Sequence, residues 1–122
     1  MNKKGSALII AKPNQLRASL QVLLMTVPQI ERVDLVDSGS AALALSAEYL
    51  PMLVLLDLSS FDYQTAVTLK QLRTKWPHSQ YIVLADNEQE EQLAISAKAD
   101  VVLIKGAPAA KLLATIETVL SQ

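Results

Sequence analysis

The sequence predicts one doubly wound α/β domain, in which helices cover both faces of a five-stranded parallel sheet. Apolar runs of strand length alternate five times with helical patterns along the 122 residues. Apolar residues make up 51% of the chain and charged residues 19%, so a full core is expected and disorder is not. Right-handed crossovers and this length favour the strand order 2-1-3-4-5, with five flanking helices.

The strands are predicted at the short apolar runs that lie between turn signals. The third run is the most apolar and ends directly before Asp57. In chain order, the predicted strands are Ala7–Ile10, Arg32–Val36, Met52–Leu56, Tyr81–Leu84 and Val101–Ile104.

The helices are predicted where apolar residues recur at helical spacing after a capping or proline signal. Asn87 and the cluster Asp37–Ser40 are typical N-cap sequences. Residues 58–62 are predicted as a loop. In chain order, the predicted helices run from Asn14 to about Thr26, and over Ala41–Leu50, Tyr63–Lys75, Glu88–Lys98 and Pro108–Leu120.

The charge, the cysteine and histidine content and the lengths of the apolar runs limit the functions that this chain can have. Eleven basic and twelve acidic residues give a formal charge of −1, which favours neither nucleic acid nor a membrane surface as a partner of this domain alone. The chain has no cysteine and a single histidine, His78, which is predicted in a surface loop. No apolar run reaches the length of a membrane span. We expect residues 1–122 to form one cytoplasmic domain. Such a domain is compatible with a place at the N-terminus of a longer regulator.

A candidate site lies at the carboxyl ends of the predicted strands, where open parallel sheets carry their functional residues. Because these ends meet at one edge, residues distant in sequence are expected to be close in space. The residues there are Ala11 and Lys12 after the first strand, Asp57 after the third, Ala85 and Asp86 after the fourth, and Lys105 after the fifth.

Three short segments resemble the receiver domain of two-component response regulators, and the resemblance covers residues 6–121. They are Leu53–Leu58 (LVLLDL), Ala97–Asp100 (AKAD) and Leu103–Gly106 (LIKG). The resemblance implies a CheY-like, flavodoxin-like fold, with Asp57 as the phosphoacceptor and Lys105 as the lysine that contacts the phosphoryl oxygens. A Lys-Gly pair after the fifth strand is similar to receivers that precede helix-turn-helix DNA-binding domains.

The sequence also departs from the receiver pattern. Ala11 and Lys12 stand where the family carries an acidic pair, and Ala85 stands where it carries threonine or serine. Val102 stands at the position of the switch aromatic, and residues 60–61 (Ser-Phe) replace the usual Met-Pro. Of the five expected site residues, only the aspartate and the lysine remain.

These departures predict a site that binds magnesium weakly or not at all. Asp57 contributes one negative charge and Lys12 and Lys105 two positive charges, so the predicted net charge is +1. Magnesium is held by oxygen ligands and is repelled by ammonium groups. One hypothesis is that the Lys12 ammonium takes the position of the metal, pairs with Asp57 and holds the domain in one conformation.

Three functions remain open on the sequence. The favoured one is a phosphorylation-independent receiver that acts through protein–protein interaction or dimerisation in signal transduction or transcription regulation. The alternative is a working receiver, phosphorylated on Asp57 by a histidine kinase with Mg²⁺. The third is a domain that binds a small anion or nucleotide through Lys12 and Lys105. No enzyme is expected beyond self-phosphorylation and dephosphorylation at Asp57. The implied partners are an effector domain, a histidine kinase or another regulator.

Two further features each have two interpretations. Asp86 is interpreted as a solvent-facing loop residue near the cap of the fourth helix, with a carboxylate at the site edge as the alternative. The last helix is either simply buried or forms a homodimer contact, because it carries more apolar residues than one buried stripe needs. These residues are Ala107, Ala109, Ala110, Leu112, Leu113, Ile116, Val119 and Leu120.

Overall fold

The sheet has the predicted architecture. The computed structural model describes residues 4–57 and 62–121, and in them five parallel strands are ordered β2-β1-β3-β4-β5. The fold class and strand order predicted from the sequence are therefore confirmed. The strands are β1 (Gly5–Ala11), β2 (Ile30–Val36), β3 (Leu53–Asp57), β4 (Gln80–Ala85) and β5 (Val101–Ile104).

Five helices connect and cover these strands, and most begin at a polar cap. The side chains of Asn14, Ser38, Asp62 and Asn87 each accept a hydrogen bond from the backbone N–H three residues later. The loop residue predicted at Asp62 is thus a helix cap, and its hydrogen bonds with Thr65 lower the pKa of its carboxyl group. The helices are α1 (Gln15–Leu24), α2 (Gly39–Leu43), α3 (Tyr63–Lys75), α4 (Glu88–Ser96) and α5 (Ala109–Leu120).

The second helix is much shorter than predicted, because it ends at Leu43 and not at Leu50. Ser46 Oγ accepts the Glu48 N–H, which is a local alternative to a helical hydrogen bond. Lys75 Nζ donates to the carbonyl oxygens of Leu43 and Leu45. A side chain from α3 therefore satisfies backbone acceptors at the end of α2, which sequence periodicity cannot reveal.

The fourth helix also ends earlier than predicted, at Ser96 and not at Lys98. Lys98 has a φ of +72°, in the left-handed region that glycine usually occupies where a helix ends in this conformation. The left-handed residue reverses the chain so that β5 can begin at Val101.

The core consists of two apolar layers, one on each face of the sheet. Side chains of α1 and α5 pack on one face, among them Leu24 and Ile116. Side chains of α2, α3 and α4 pack on the other, among them Leu69 and Ala94. In the part of the chain that the structure describes, no helix has the length and apolar character needed to cross a membrane.

The apolar residues of α5 are largely used inside the domain. Leu112, Ile116 and Val119 are buried, and Leu113 and Leu120 are half-buried against the same core layer. The outward positions carry small or polar residues such as Ala110 and Ala114. The structure thus favours the buried interpretation of this helix over a large apolar contact face.

Candidate functional site

The last residues of four strands form one edge of the sheet, which we call the carboxyl edge (Ala11, Asp57, Ala85 and Ile104). Ala11 is the direct register partner of Asp57 on the neighbouring strand, and Ala85 is the partner of Ile104. The Lys105 N–H donates to the Ala85 carbonyl oxygen over 2.7 Å. This bond extends the pairing of β4 and β5 by one residue and directs the lysine toward the site.

Three charged side chains meet at this edge. Lys105 Nζ lies 2.7 Å from Asp57 Oδ1 and 3.2 Å from Asp86 Oδ1. The side chain of Asp57 is 3% exposed, that of Lys105 22% and that of Asp86 43%. The ammonium therefore links a buried carboxylate to a surface carboxylate, and we call this set the edge triad.

The pKa of Lys105 reflects two opposing effects. Burial alone lowers it, because an ammonium group loses hydration inside the protein. The hydrogen bonds and negative charges of Asp57 and Asp86 outweigh burial, so the pKa of Lys105 is raised above its ordinary value. Lys105 is therefore a fixed positive charge at neutral pH.

Asp86 is an exposed residue of the β4–α4 connection, as interpreted from the sequence, and its carboxylate also lies at the edge of the site, which was the alternative. Asn87, not Asp86, caps α4, as the sequence predicted, and Asp86 contributes a carboxylate to the edge triad. Its position follows from the short β4–α4 connection, which leaves Asp86 directly after Ala85. With Asp57, Asp86, Lys12 and Lys105 counted together, the formal charge is −2 + 2 = 0 and not the predicted +1.

The hypothesis that Lys12 pairs with Asp57 is also not borne out. Lys12 is exposed just beyond β1, and among the described residues it forms no ion pair with Asp57. Lys105 occupies that role, because β5 ends where its side chain can reach back across β4 to the end of β3. Lys12 directly follows Ala11, the last residue of β1, and is exposed to solvent.

Arg17 is a residue at this edge that sequence reasoning missed. Its Nη1 donates to the Ala11 carbonyl oxygen over 3.2 Å and to Asp37 Oδ1 over 2.6 Å. A helical side chain points back toward the helix N-terminus, so an arginine in the first turns of α1 can reach the end of β1. The sequence signal for this contact is therefore an arginine in the first turns of α1 together with an aspartate, Asp37, directly after β2.

The remaining predicted site residues have plain environments. Ala11 and Ala85 are fully buried, and Val102 is half-buried, beside Val83 on β4. Residues 60–61, which replace the Met-Pro of the receiver pattern, lie outside the described residues, as does most of the loop predicted at residues 58–62. His78 is exposed, as predicted.

The cavities near the site are small. One of about 60 Å³ lies beside Lys105 and is lined mainly by apolar side chains of α1, β5 and α5. A larger groove, of about 840 Å³, lies at the opposite edge of the sheet, where Gln29, Met52 and Trp76 are among its lining residues. The larger groove contains none of the residues of the edge triad.

Solved structures provide the likeness to known proteins, since no family model and no curated protein sequence matches the chain. A LuxR family DNA-binding response regulator from Silicibacter pomeroyi has a TM-score of 0.81 and 24% identity, over 96% of this chain and 92% of that one. The receiver domain of a sensor histidine kinase from Pseudomonas aeruginosa PAO1, solved with magnesium in its active-site cleft, has a TM-score of 0.81 and 17% identity, over 98% and 99%.

A third similar structure is named neither a response regulator nor a receiver domain. It is an adenylate cyclase from Rhodopirellula baltica, with a TM-score of 0.80 and 20% identity, over 97% of this chain and 88% of that one. At these identities the likeness establishes the fold, which is the CheY-like fold of response-regulator receiver domains. Function has to be argued from the residues of the site.

Proposed function

We propose that this chain is a receiver-like signalling domain that acts through protein–protein interaction and without phosphorylation. The observation that carries the proposal is the pairing of Ala11 with Asp57. A buried methyl group lies beside the phosphoacceptor position, where the receiver pattern has acidic residues. The fold shared with receiver domains supports the signalling role, and the chemistry of the edge supports the loss of phosphorylation.

The side chains at the carboxyl edge do not fit a magnesium ion. Magnesium requires a near-octahedral set of oxygen ligands and is usually held by one or two carboxylates with phosphate and water. Here Asp57 Oδ1 already has an ammonium group at 2.7 Å, and the Ala11 carbonyl oxygen already accepts from a guanidinium. The oxygen atoms that this edge could offer to a divalent cation are therefore already engaged by basic side chains, and the site has no surplus of negative charge to attract one.

The end of β4 is equally unsuited to a phosphoryl group. Ala85 offers a methyl group where a hydroxyl would donate a hydrogen bond, and the next residue, Asp86, is negatively charged. Phosphoryl transfer depends on positioning and on neutralising the charge of the transferred group. Without the metal and the hydroxyl, one lysine shared by two carboxylates gives little of that stabilisation.

The working receiver remains the second candidate, favoured by one observation. Asp57 and Lys105, the two residues that match the receiver pattern, are in direct contact. In this version a histidine kinase would phosphorylate Asp57, and a bound Mg²⁺ would have to supply the charge neutralisation that the side chains lack. The anion or nucleotide interpretation has less support, because the cavity beside Lys105 is far smaller than the few hundred Å³ of typical ligand pockets.

The proposed partners are proteins. The match named a DNA-binding response regulator makes an attached effector domain the first partner to consider, with a histidine kinase or another regulator next. Self-association through α5 is a less favoured version, because the large apolar side chains of that helix are buried or half-buried. A concentration-independent monomer mass by light scattering would exclude it.

The test of phosphorylation is incubation with a small phosphoryl donor, acetyl phosphate, and Mg²⁺, followed by intact-mass spectrometry. The matched control is the triple variant Ala11→Asp, Lys12→Asp, Ala85→Thr, which restores the acidic pair and the hydroxyl residue of the receiver pattern. We expect no phosphoryl adduct on the wild-type chain and an adduct on the control that is lost when Asp57 is changed to Asn. An adduct on wild-type Asp57 would establish the working receiver instead.

A further inference from the structure

We infer that Asp86 is a positioning residue that connects the carboxyl edge to α4 through Lys105, in place of the missing hydroxyl of β4. The inference rests on the proposed function and deepens it. The edge triad connects Asp57 to α4 permanently, in place of a connection that phosphorylation would make. The basis of the inference is this triad, in which one ammonium contacts a carboxylate of β3 and a carboxylate of the β4–α4 connection.

The connection from Asp86 into α4 is made by the backbone. The Asp86 N–H donates to Glu90 Oε1 over 2.9 Å, and the Glu90 N–H donates to Asn87 Oδ1 over 2.9 Å. Through Glu90, these two bonds tie both Asp86 and the N-cap residue Asn87 to the first turn of α4. A movement of Asp86 would therefore have to move the start of the helix or break these bonds.

The connection on the other side is made by Lys105. Its backbone N–H donates to the Ala85 carbonyl oxygen, while its side chain contacts Asp86, so it holds two consecutive residues at the end of β4. Its contact with buried Asp57 fixes the ammonium from the other direction. A continuous path of contacts thus runs from β3 through Lys105 and Asp86 to α4. Every contact on this path joins two residues of this chain.

The consequence for signalling is that the position of α4 is set by fixed charges. A ligand or modification can shift a conformational equilibrium only if it interacts differently with the two states. Here the residue that would report the state of Asp57 to α4 is an aspartate, already paired with Lys105. The domain would present the surface of α4 in one arrangement, ready for its protein partner.

The test compares Asp86→Asn with a matched control, Asp37→Asn, by amide hydrogen exchange and NMR relaxation dispersion without metal or phosphoryl donor. Asp37 also pairs with a basic side chain at this edge, but its partner is Arg17 on α1. We expect Asp86→Asn to speed exchange in α4 about two- to fivefold, whereas Asp37→Asn leaves α4 unchanged.

A double variant tests whether the connection passes through Lys105. If it does, adding Asp86→Asn to Lys105→Met changes exchange in α4 no further than Lys105→Met does alone. Unchanged α4 amides in Asp86→Asn, or fully additive effects in the double variant, would overturn the inference. The outcome is separable from that of the proposed function, because the phosphorylation test reads a mass adduct on Asp57 and this one reads the dynamics of α4.

Discussion

Lys105 Nζ and Asp57 Oδ1 are 2.7 Å apart, and the two residues belong to the ends of strands that are separated by β4. The contact joins a 3% exposed carboxylate to an ammonium group that is itself mostly covered. A charge buried to this extent needs a partner, because burial without one costs several kcal/mol. The lysine is thus a structural requirement of this site, whatever its role in signalling.

Removing the lysine should therefore be costly. We expect Lys105→Met to lower the free energy of unfolding by about 3 kcal/mol at neutral pH, since it leaves Asp57 buried and unpaired. The double variant Asp57→Asn, Lys105→Met should recover most of that loss. Urea unfolding followed by circular dichroism measures both, and a double variant no more stable than Lys105→Met would argue against the ion pair as the cause.

Lys98 offers a stabilising substitution. Its φ of +72° strains a residue with a Cβ atom, and glycine removes that strain. We expect Lys98→Gly to raise the free energy of unfolding by about 0.5–1 kcal/mol, after allowing for the greater freedom of glycine in the unfolded chain. Lys98→Ala is the control, because it removes the charge and keeps the strain. Equal stability of the two variants would point to the charge and not to the backbone.

The packing of α2 on α3 predicts a pair of compensating changes. A Cβ atom at Gly39 would overlap with Thr68 Cγ2. The Thr68 side chain is held in place because its hydroxyl donates to the Gln64 carbonyl oxygen. We expect Gly39→Ala to cost about 1–3 kcal/mol and Thr68→Ser, which removes the overlapping methyl, to restore much of it. Thermal melting of the single and double variants measures the effect, and no rescue by serine would contradict this packing.

Stability at high pH depends on buried tyrosines. Burial raises the pKa of Tyr81 to about 12, from an ordinary value of 10.0, and its single hydroxyl proton is shared between the carbonyl oxygens of Leu72 and Trp76. The folded state therefore favours the neutral phenol. The contribution is complete below pH 10 and is lost as the pH rises toward 12, because the unfolded chain ionises first.

Tyr81→Phe tests this pH dependence. We expect a loss of about 1 kcal/mol at neutral pH from the missing hydrogen bonds, and a shallower fall in stability between about pH 10 and 12. Part of the slope remains in this variant, because burial also raises the pKa of Tyr49 to about 12 and the pKa of Lys105 is raised as well. Denaturant midpoints measured across this range give the slope, and an unchanged slope would assign the pH dependence to other groups.

The fold was predictable because periodicity and strand-length apolar runs determine it locally. β5 was predicted at its observed bounds, and the observed order of the five strands is the one that right-handed crossovers and the chain length favoured. The end of α2 was not predictable, because it depends on Lys75, a residue more than thirty positions away along the chain. Local patterns carry no information on such a contact.

The site was predictable in its location but not in its pairing. The ends of parallel strands meet at one edge, which brought Asp57 and Lys105 together as the topology implies. Which lysine pairs with Asp57, and whether Asp86 joins it, depends on side-chain reach over a few ångströms. Arg17 was missed for the same reason, since its contact with Ala11 crosses from a helix to the end of a strand.

The most direct test of phosphorylation independence is an amide NMR titration of the labelled chain with Mg²⁺, and then with Mg²⁺ and beryllofluoride, a mimic of the phosphoryl group. The triple variant Ala11→Asp, Lys12→Asp, Ala85→Thr serves as the positive control. We expect the wild-type spectrum to stay unchanged at millimolar Mg²⁺ and beryllofluoride, while the control shifts around Asp57 and α4. Saturable shifts of Asp57, Ala85 and Lys105 in the wild-type chain would contradict the account and identify a working receiver.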